Sequence, residues 1–458
     1  MASPRLSLSA RLAYGVGELA GAVPVGLAAF FLLYFLTTVV GLSPALAGGV
    51  LLLGRVWDAI NDPAIGWLSD RTTSPLGRRY PWMVYGAVPL ALCCGLLWWV
   101  PPLSSQSGLF TYYALLSLVI YVAFTAVQLP YTALAAELSN DYDERTSLIG
   151  FKSAFSIGGS LLGLVLAQVI FAQVAQPRQQ YFLLGLISGG IALGAIALCV
   201  LGTYRRYWQM EAQRRERTTT SSLSLGSQLR SLWQNAAFRQ VLGLYLFAWM
   251  GIQVTAAMLP YFVAAWMKLP ETHFAQMALT VQGTAMVSIV GWNWLGQHTE
   301  KRTIFLMGAP ISVFSLLGLV SVQPGQIGWM YGLAAGVGLG LATLYLVPFA
   351  MLPDVIDLDE LHTGQRREGV YFSAVVFLQK LGLAIALFLS SQVLEWTGLT
   401  ASAGDQPVAA LWAVRLLIGP LPALLVAGSL WFAYRYPISR QKHQEIVLAL
   451  QARRSQMP

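Results

Sequence analysis

Between Arg55 and Pro63 the chain reads Arg55-Val-Trp-Asp58-Ala-Ile-Asn61-Asp62-Pro63, which sets an arginine, two carboxylates and an amide inside an apolar stretch. Ionisable groups at membrane depth are expensive and mark function. Asp58 and Asp62 are four residues apart, so on a helix both face one way, where like charges repel unless something positive lies between them. A bound cation is the simplest such group. Sodium takes hard oxygens, which Asp58, Asp62 and the Asn61 carbonyl can supply, whereas a proton needs only one carboxylate to hold it. Arg55, one turn before Asp58, can neutralise a single acid in an ion-pair network and leaves a negative remainder.

Other charged groups fall into three roles. Lys380, in Phe377-Leu-Gln-Lys380-Leu-Gly382, is about ten residues into its apolar segment, too deep for easy snorkelling, and is expected to couple cation binding to movement of the two halves. Glu18, in Tyr14-Gly-Val-Gly-Glu18, lies two turns from the start of the first apolar segment and suits either a gate or a substrate contact. Asp70, Arg71, Arg78, Arg79, Glu137, Asp141, Arg145 and Arg366 lie at segment ends, where opposite charges can clasp one conformation shut.

These groups need a membrane scaffold. Of the 458 residues, 56% are hydrophobic and 10% charged, which no water-soluble domain of this length tolerates. Apolar runs of about 20 residues or more predict twelve helices, starting near residues 9, 45, 81, 108, 147, 180, 237, 272, 303, 326, 370 and 405. The fold class is thus all-α and polytopic. The first segment has no A-x-A-like exit and is expected to stay as a membrane helix. The net charge of +8 is spread over alternate loops, as the positive-inside rule requires, and does not indicate nucleic acid. Both termini are therefore expected on the cytoplasmic side of an inner or plasma membrane.

The polar stretch 204–236 divides an N-terminal bundle, 1–203, from a C-terminal bundle, 237–436, with a tail from 437 to 458. The halves echo each other: Gly66-Trp-Leu-Ser-Asp-Arg71 with Gly77-Arg-Arg79, and Gly296-Gln-His-Thr-Glu-Lys-Arg302. Parallel six-helix repeats with a midplane site describe a rocking transporter. Gly332, Gly336, Gly338 and Gly340 read as helix packing rather than a nucleotide loop, because no strand precedes them. Cys93, Cys94 and Cys199 read as small packing residues, and His273, His298, His362 and His443 as surface histidines. No Ser-His-Asp, Walker or zinc arrangement is present, so no enzyme and no cofactor is expected beyond a transported Na+ or H+.

Taken together, several segments resemble the glycoside-pentoside-hexuronide:cation symporter family (the melibiose permease-like family) of the major facilitator superfamily. They are Tyr14–Glu18, Trp57–Pro63, Asp70–Trp82, Leu129–Leu134, Asp141–Thr146 and Asp354–Gly369 leading to Lys380. The resemblance implies a sodium site at Asp58, Asn61, Asp62 and Thr125 with Lys380 nearby. It also places Gln128 and Thr132 at the family's substrate site, so substrate contacts are expected at Gln128 and Thr132, together with Glu18. Where galactoside carriers of the family place carboxylates on helices one and four, this chain has Ala22 and Gln128. Thr132 and Ser153 stand at the places of their stacking tryptophan and helix-five arginine. The expected function is therefore cation-coupled symport of a sugar or glycoside other than melibiose by a monomer. Lysophospholipid is the alternative substrate, since the lysophospholipid symporters of the same branch also keep the helix-two acids.

Overall fold

The computed structural model describes residues 6–139, 141–214, 232–365, 367–400 and 406–455, and among them the chain is helical with no strands. The helices, numbered here in chain order, are α1 Leu8–Leu32, α2 Pro44–Arg71, α3 Tyr80–Leu97, α4 Gln106–Leu138, α5 Tyr142–Gln173 and α6 Pro177–Arg214. In the second half α7 is Ala236–Trp266, α8 Thr272–His298, α9 Lys301–Ser321, α10 Ile327–Thr363, α11 Glu368–Trp396, α12 Val408–Tyr434 and α13 Arg440–Ser455. Eleven of these are long and apolar enough to cross a membrane. The remaining long helix, α2, carries Arg55, Asp58, Asp62, Asp70 and Arg71, yet its 28 residues exceed the ~30 Å hydrocarbon core at about 1.5 Å per residue.

Local chemistry explains where the helices begin. Asp141 caps α5 by accepting from the Glu144 N–H at 2.9 Å, Asn235 caps α7 through the Phe238 N–H at 3.2 Å, and Ser105 caps α4. Helix α6 runs on past Thr203 to Arg214, into the stretch read from sequence as the linker.

The chain forms two compact units. One comprises 1–220 with 269–279 and 387–407; the other comprises 221–268, 280–386 and 408–458. The ends of two second-half helices therefore belong to the first unit. Inside that unit α3 packs on α4 and α6, α2 on α4, and α1 on α5 and α6. Its core is aromatic and fully buried around Tyr14, Tyr80, Tyr131 and Tyr207, with Cys94 and Cys199 as apolar fillers.

Within the second unit α9 packs on α10 and α12, as α3 does on α4 and α6, while α7 packs on α12 and α10. Close helix approach is supplied by the glycines of α10. A Cβ at Gly336 would lie 2.3 Å from Ser315 Oγ, and one at Gly340 2.3 Å from Ser312 Oγ, whereas Gly332 faces open space. Helix α13 lies along the end of α10, with Ile446 and Leu450 buried one turn apart.

Candidate functional site

Asp58 and Asp62 leave the same face of α2 and meet one hydroxyl from α4. Thr125 Oγ1 is 3.3 Å from Asp58 Oδ1 and 3.0 Å from Asp62 Oδ1. A hydroxyl has one proton and serves one carboxylate at a time, so the arrangement concentrates negative charge around a shared oxygen. Asp58 and Thr125 are each 1% exposed. Pro63 brings no N–H to the Ala59 carbonyl and so leaves a further hard oxygen on the same stretch of α2. Asn61 Nδ2 donates to the Tyr121 carbonyl at 3.3 Å, which pins the amide to α4.

Arg55, one turn before Asp58, sets its guanidinium over the Tyr121 ring of α4, 5.4 Å from the centroid.

A second polar cluster in the same unit joins α1, α4 and α5. Helix α1 is interrupted at Glu18, where the turn between Gly17 and Leu19 lets the carboxylate reach its neighbours. Gln128 Nε2 donates to Glu18 Oε2 at 3.1 Å, and Lys152 Nζ approaches the same oxygen at 3.8 Å. Lys152 also donates to Thr132 Oγ1 at 3.2 Å and lies 5.6 Å from the Tyr131 ring centroid. Gln128 Oε1 is buried without a hydrogen-bond partner. Gly21 lies opposite that oxygen, and a Cβ there would stand 3.0 Å from it, a tight contact that would press on the amide.

Lys152 is the residue that sequence reasoning missed. The reading placed Ser153 at the position of interest, but Ser153 is exposed, and the preceding lysine turns into the cluster. A single ammonium following Phe151, ten residues into α5, was the available signal. Ala22 packs against α5, 2.7 Å from where a Cβ on Gly159 would stand.

At the arginine-rich end of the first unit, Glu137 accepts from Arg78 Nη2 at 3.0 Å and from Arg79 Nε at 2.9 Å. Arg79 also meets Asp70 at 2.5 Å and Ser69 Oγ at 2.9 Å. Asp141 and Arg145 do different work: Asp141 caps α5, and Arg145 Nε donates to the Ser139 carbonyl at 2.6 Å, closing the end of α4. Arg71 stacks over Trp67 at 4.2 Å. Near this cluster Glu144 bonds Ser139 and lies 3.6 Å from Arg206.

In the second unit the corresponding helix ends carry Lys301 and Asp354, 2.8 Å apart, and Arg367 with Asp359 at 2.7 Å. His443 of α13, read from sequence as an ordinary surface histidine, lies 3.4 Å from Asp354 and 3.2 Å from Asp357. Lys380 lies in α11 within this unit. Arg366 falls outside the described residues. Among those described, no group of three or more His, Cys, Asp or Glu side chains is placed to hold a metal ion.

The geometry is that of a membrane carrier with charged groups inside its spans, and comparison with known proteins agrees. The chain is similar to an uncharacterized symporter, sll1374, from Synechocystis sp., at 38% identity over 99% of this chain and 98% of the relative. It is similar to the sodium-dependent lysophosphatidylcholine symporter 1-A of Danio rerio at 26% identity, over 91% of this chain and 83% of the relative. In fold it resembles the crystal structure of a D-xylose-proton symporter, with a TM-score of 0.67 and 14% identity over 94% of this chain and 98% of that one. Its relatives are transporters and not enzymes, and with residues 13–440 matching the family model, the chain belongs to the MFS/sugar transport proteins, as a multi-pass integral membrane protein.

Proposed function

We propose that the chain is a cation-coupled symporter that carries a sugar or glycoside-like solute by alternating access. A sodium ion or proton is taken up at Asp58, Asp62 and Thr125, with Asn61 fixing α2 against α4. The observation that carries this reading is the Thr125 hydroxyl shared by two carboxylates inside a membrane span. Two negative groups facing one hydroxyl in a medium of low dielectric are stabilised by a small cation.

The solute is assigned to the cluster of Glu18, Gln128, Thr132 and Lys152. A carboxylate and an amide oxygen accept hydroxyl protons, and the ammonium donates to ring or hydroxyl oxygens. The orphan acceptor on Gln128 is the group a solute hydroxyl would satisfy. Cation binding raises affinity for the solute, and linkage requires the solute to tighten cation binding equally. Lys380 and Arg55 belong to the coupling between the two events, and the Arg78, Arg79, Glu137 and Asp70 network to closure of the basic end. That end faces the cytoplasm, with both termini, in an inner or plasma membrane, and the working unit is a monomer.

A second reading, lysophospholipid transport, is favoured by one observation: the cluster contains a partly exposed ammonium, Lys152, able to pair with a phosphate. The named activity of the zebrafish relative points the same way. Uptake into proteoliposomes of a sugar panel and a lysolipid panel, each under a sodium or a proton gradient, distinguishes the two. Gradient-driven uptake of a sugar is the expected result. Uptake that ignores both gradients would reject symport.

A further inference from the structure

The start of α2 lacks a cap of its own. Ser43 occupies the N-cap position without a side-chain hydrogen bond, and Pro44 at the first helical position has no N–H. The next donor, the Ala45 N–H, is one of the orphan amides of a helix N-terminus. It is satisfied by a residue 350 positions away, donating to Glu395 Oε2 at 3.1 Å. Glu395 lies at the end of α11, in the segment 387–407 that belongs to the first compact unit.

The contact is built, not incidental. Ser391, one turn before Glu395, is fully buried against Gly48, one turn after Pro44. A Cβ on Gly48 would lie 1.7 Å from Ser391 Oγ and 2.7 Å from Ser391 Cβ, so only glycine admits this approach. Gln392 Nε2 reaches the Ala45 carbonyl at 3.5 Å. Beside the contact lies a cavity of about 260 Å³, lined by Thr37, Ser43, Gln106, Glu395 and Thr400 among others.

We propose that Glu395 is a removable cap on α2: an external latch in which one carboxylate, seated by the Gly48–Ser391 contact, holds shut the end of the carrier opposite its arginine-rich end. The inference rests on the alternating-access reading, because a latch matters only if this end opens during transport. The same rigid helix bears Asp58 and Asp62 about four turns further on. Release of its N-terminus therefore frees the element that carries the cation site. Glu395 is a positioning residue: it touches neither the candidate cation site nor the solute cluster.

The test is hydrogen–deuterium exchange of the full-length protein in detergent micelles, read on peptides covering residues 43–50. E395A is expected to speed exchange there by roughly tenfold or more, as loss of a charge-assisted bond implies, with E395Q intermediate because its amide oxygen still accepts. G48A should speed exchange in the same peptides with Glu395 intact, and G48A/S391G should restore protection by removing both clashing atoms. Unchanged exchange in E395A overturns the latch, as does equal exchange in G48A and G48A/S391G. Since no transport is measured, the outcome is independent of the solute. A latch confirmed in a protein that shows no gradient-driven uptake would leave the symport reading alone rejected.

Discussion

Two clusters in one unit handle buried charge in opposite ways. At Asp58 and Asp62 two carboxylates share a hydroxyl, and the nearby Arg55 is committed to the Tyr121 ring. At Glu18 a single carboxylate is matched by Lys152 and by the Gln128 amide. Two carboxylates converging on one hydroxyl present the hard oxygens that suit a small cation. A balanced pair presents both donors and acceptors and suits a dipolar or zwitterionic solute. The proposed function accordingly gives cation and solute separate places on α2–α4 and on α1–α4–α5, with α4 contributing to both.

Breaking the negative pair should have the largest effect. D62N is expected to reduce cation-stimulated uptake by roughly a hundredfold or more while the protein still folds, because a buried charge interaction of this kind is worth about 3–5 kcal/mol. Measured in proteoliposomes with and without a gradient, retained sodium dependence in D62N would remove the cation from this site. Next in size is K152A, which should raise the solute KM about ten- to a hundredfold with little change in the cation concentration needed for half-stimulation. If K152A shifts cation dependence as strongly as D62N does, the two clusters are one site and the comparison fails. Partial recovery of the KM in K152R would sharpen it.

T125A should weaken cation affinity by roughly tenfold through loss of one ligand oxygen, and T125S should lose little. Titration of cation-dependent uptake separates the two variants. The smallest effect concerns a third way of holding an acid. Glu271, between α7 and α8 and outside the spans, has a buried carboxyl oxygen without a partner, and burial pushes its pKa from 4.5 up to about 7. The folded form keeps its proton where the unfolded chain would release it. This contribution is therefore fully present below pH 4.5 and lost as pH rises through about 7. The Tm should fall by a few degrees more between pH 5 and pH 8 in the native chain than in E271Q, on the order expected for one such group.

Much of the architecture was legible because it depends on periodicity and length. Apolar runs located every membrane helix, and the structure moves the starts of most by only a few residues. The four-residue spacing of Asp58 and Asp62 foretold a shared face, since a helix of 3.6 residues per turn leaves no other choice. Of the four α10 glycines read as packing, Gly336, Gly338 and Gly340 do meet neighbours closely, while Gly332 faces open space. Charge at helix ends was harder to read. Asp141 and Arg145 lie at segment ends as Glu137 does, but one caps α5 and the other closes α4, roles set by backbone geometry and not by charge sign. His443 had no visible partner because Asp354 and Asp357 come from a helix some ninety residues earlier.

The sequence alone determined that this chain is a membrane carrier with paired acids in its second helix, because hydrophobic length and helical spacing are local properties. Only the tertiary structure decided that Lys152, not Ser153, faces Glu18, and that Arg55 stacks on Tyr121. It also decided that Glu395 caps a helix begun 350 residues before it. Each of these turns on the rotational setting of one helix against another, which packing fixes and no single segment encodes.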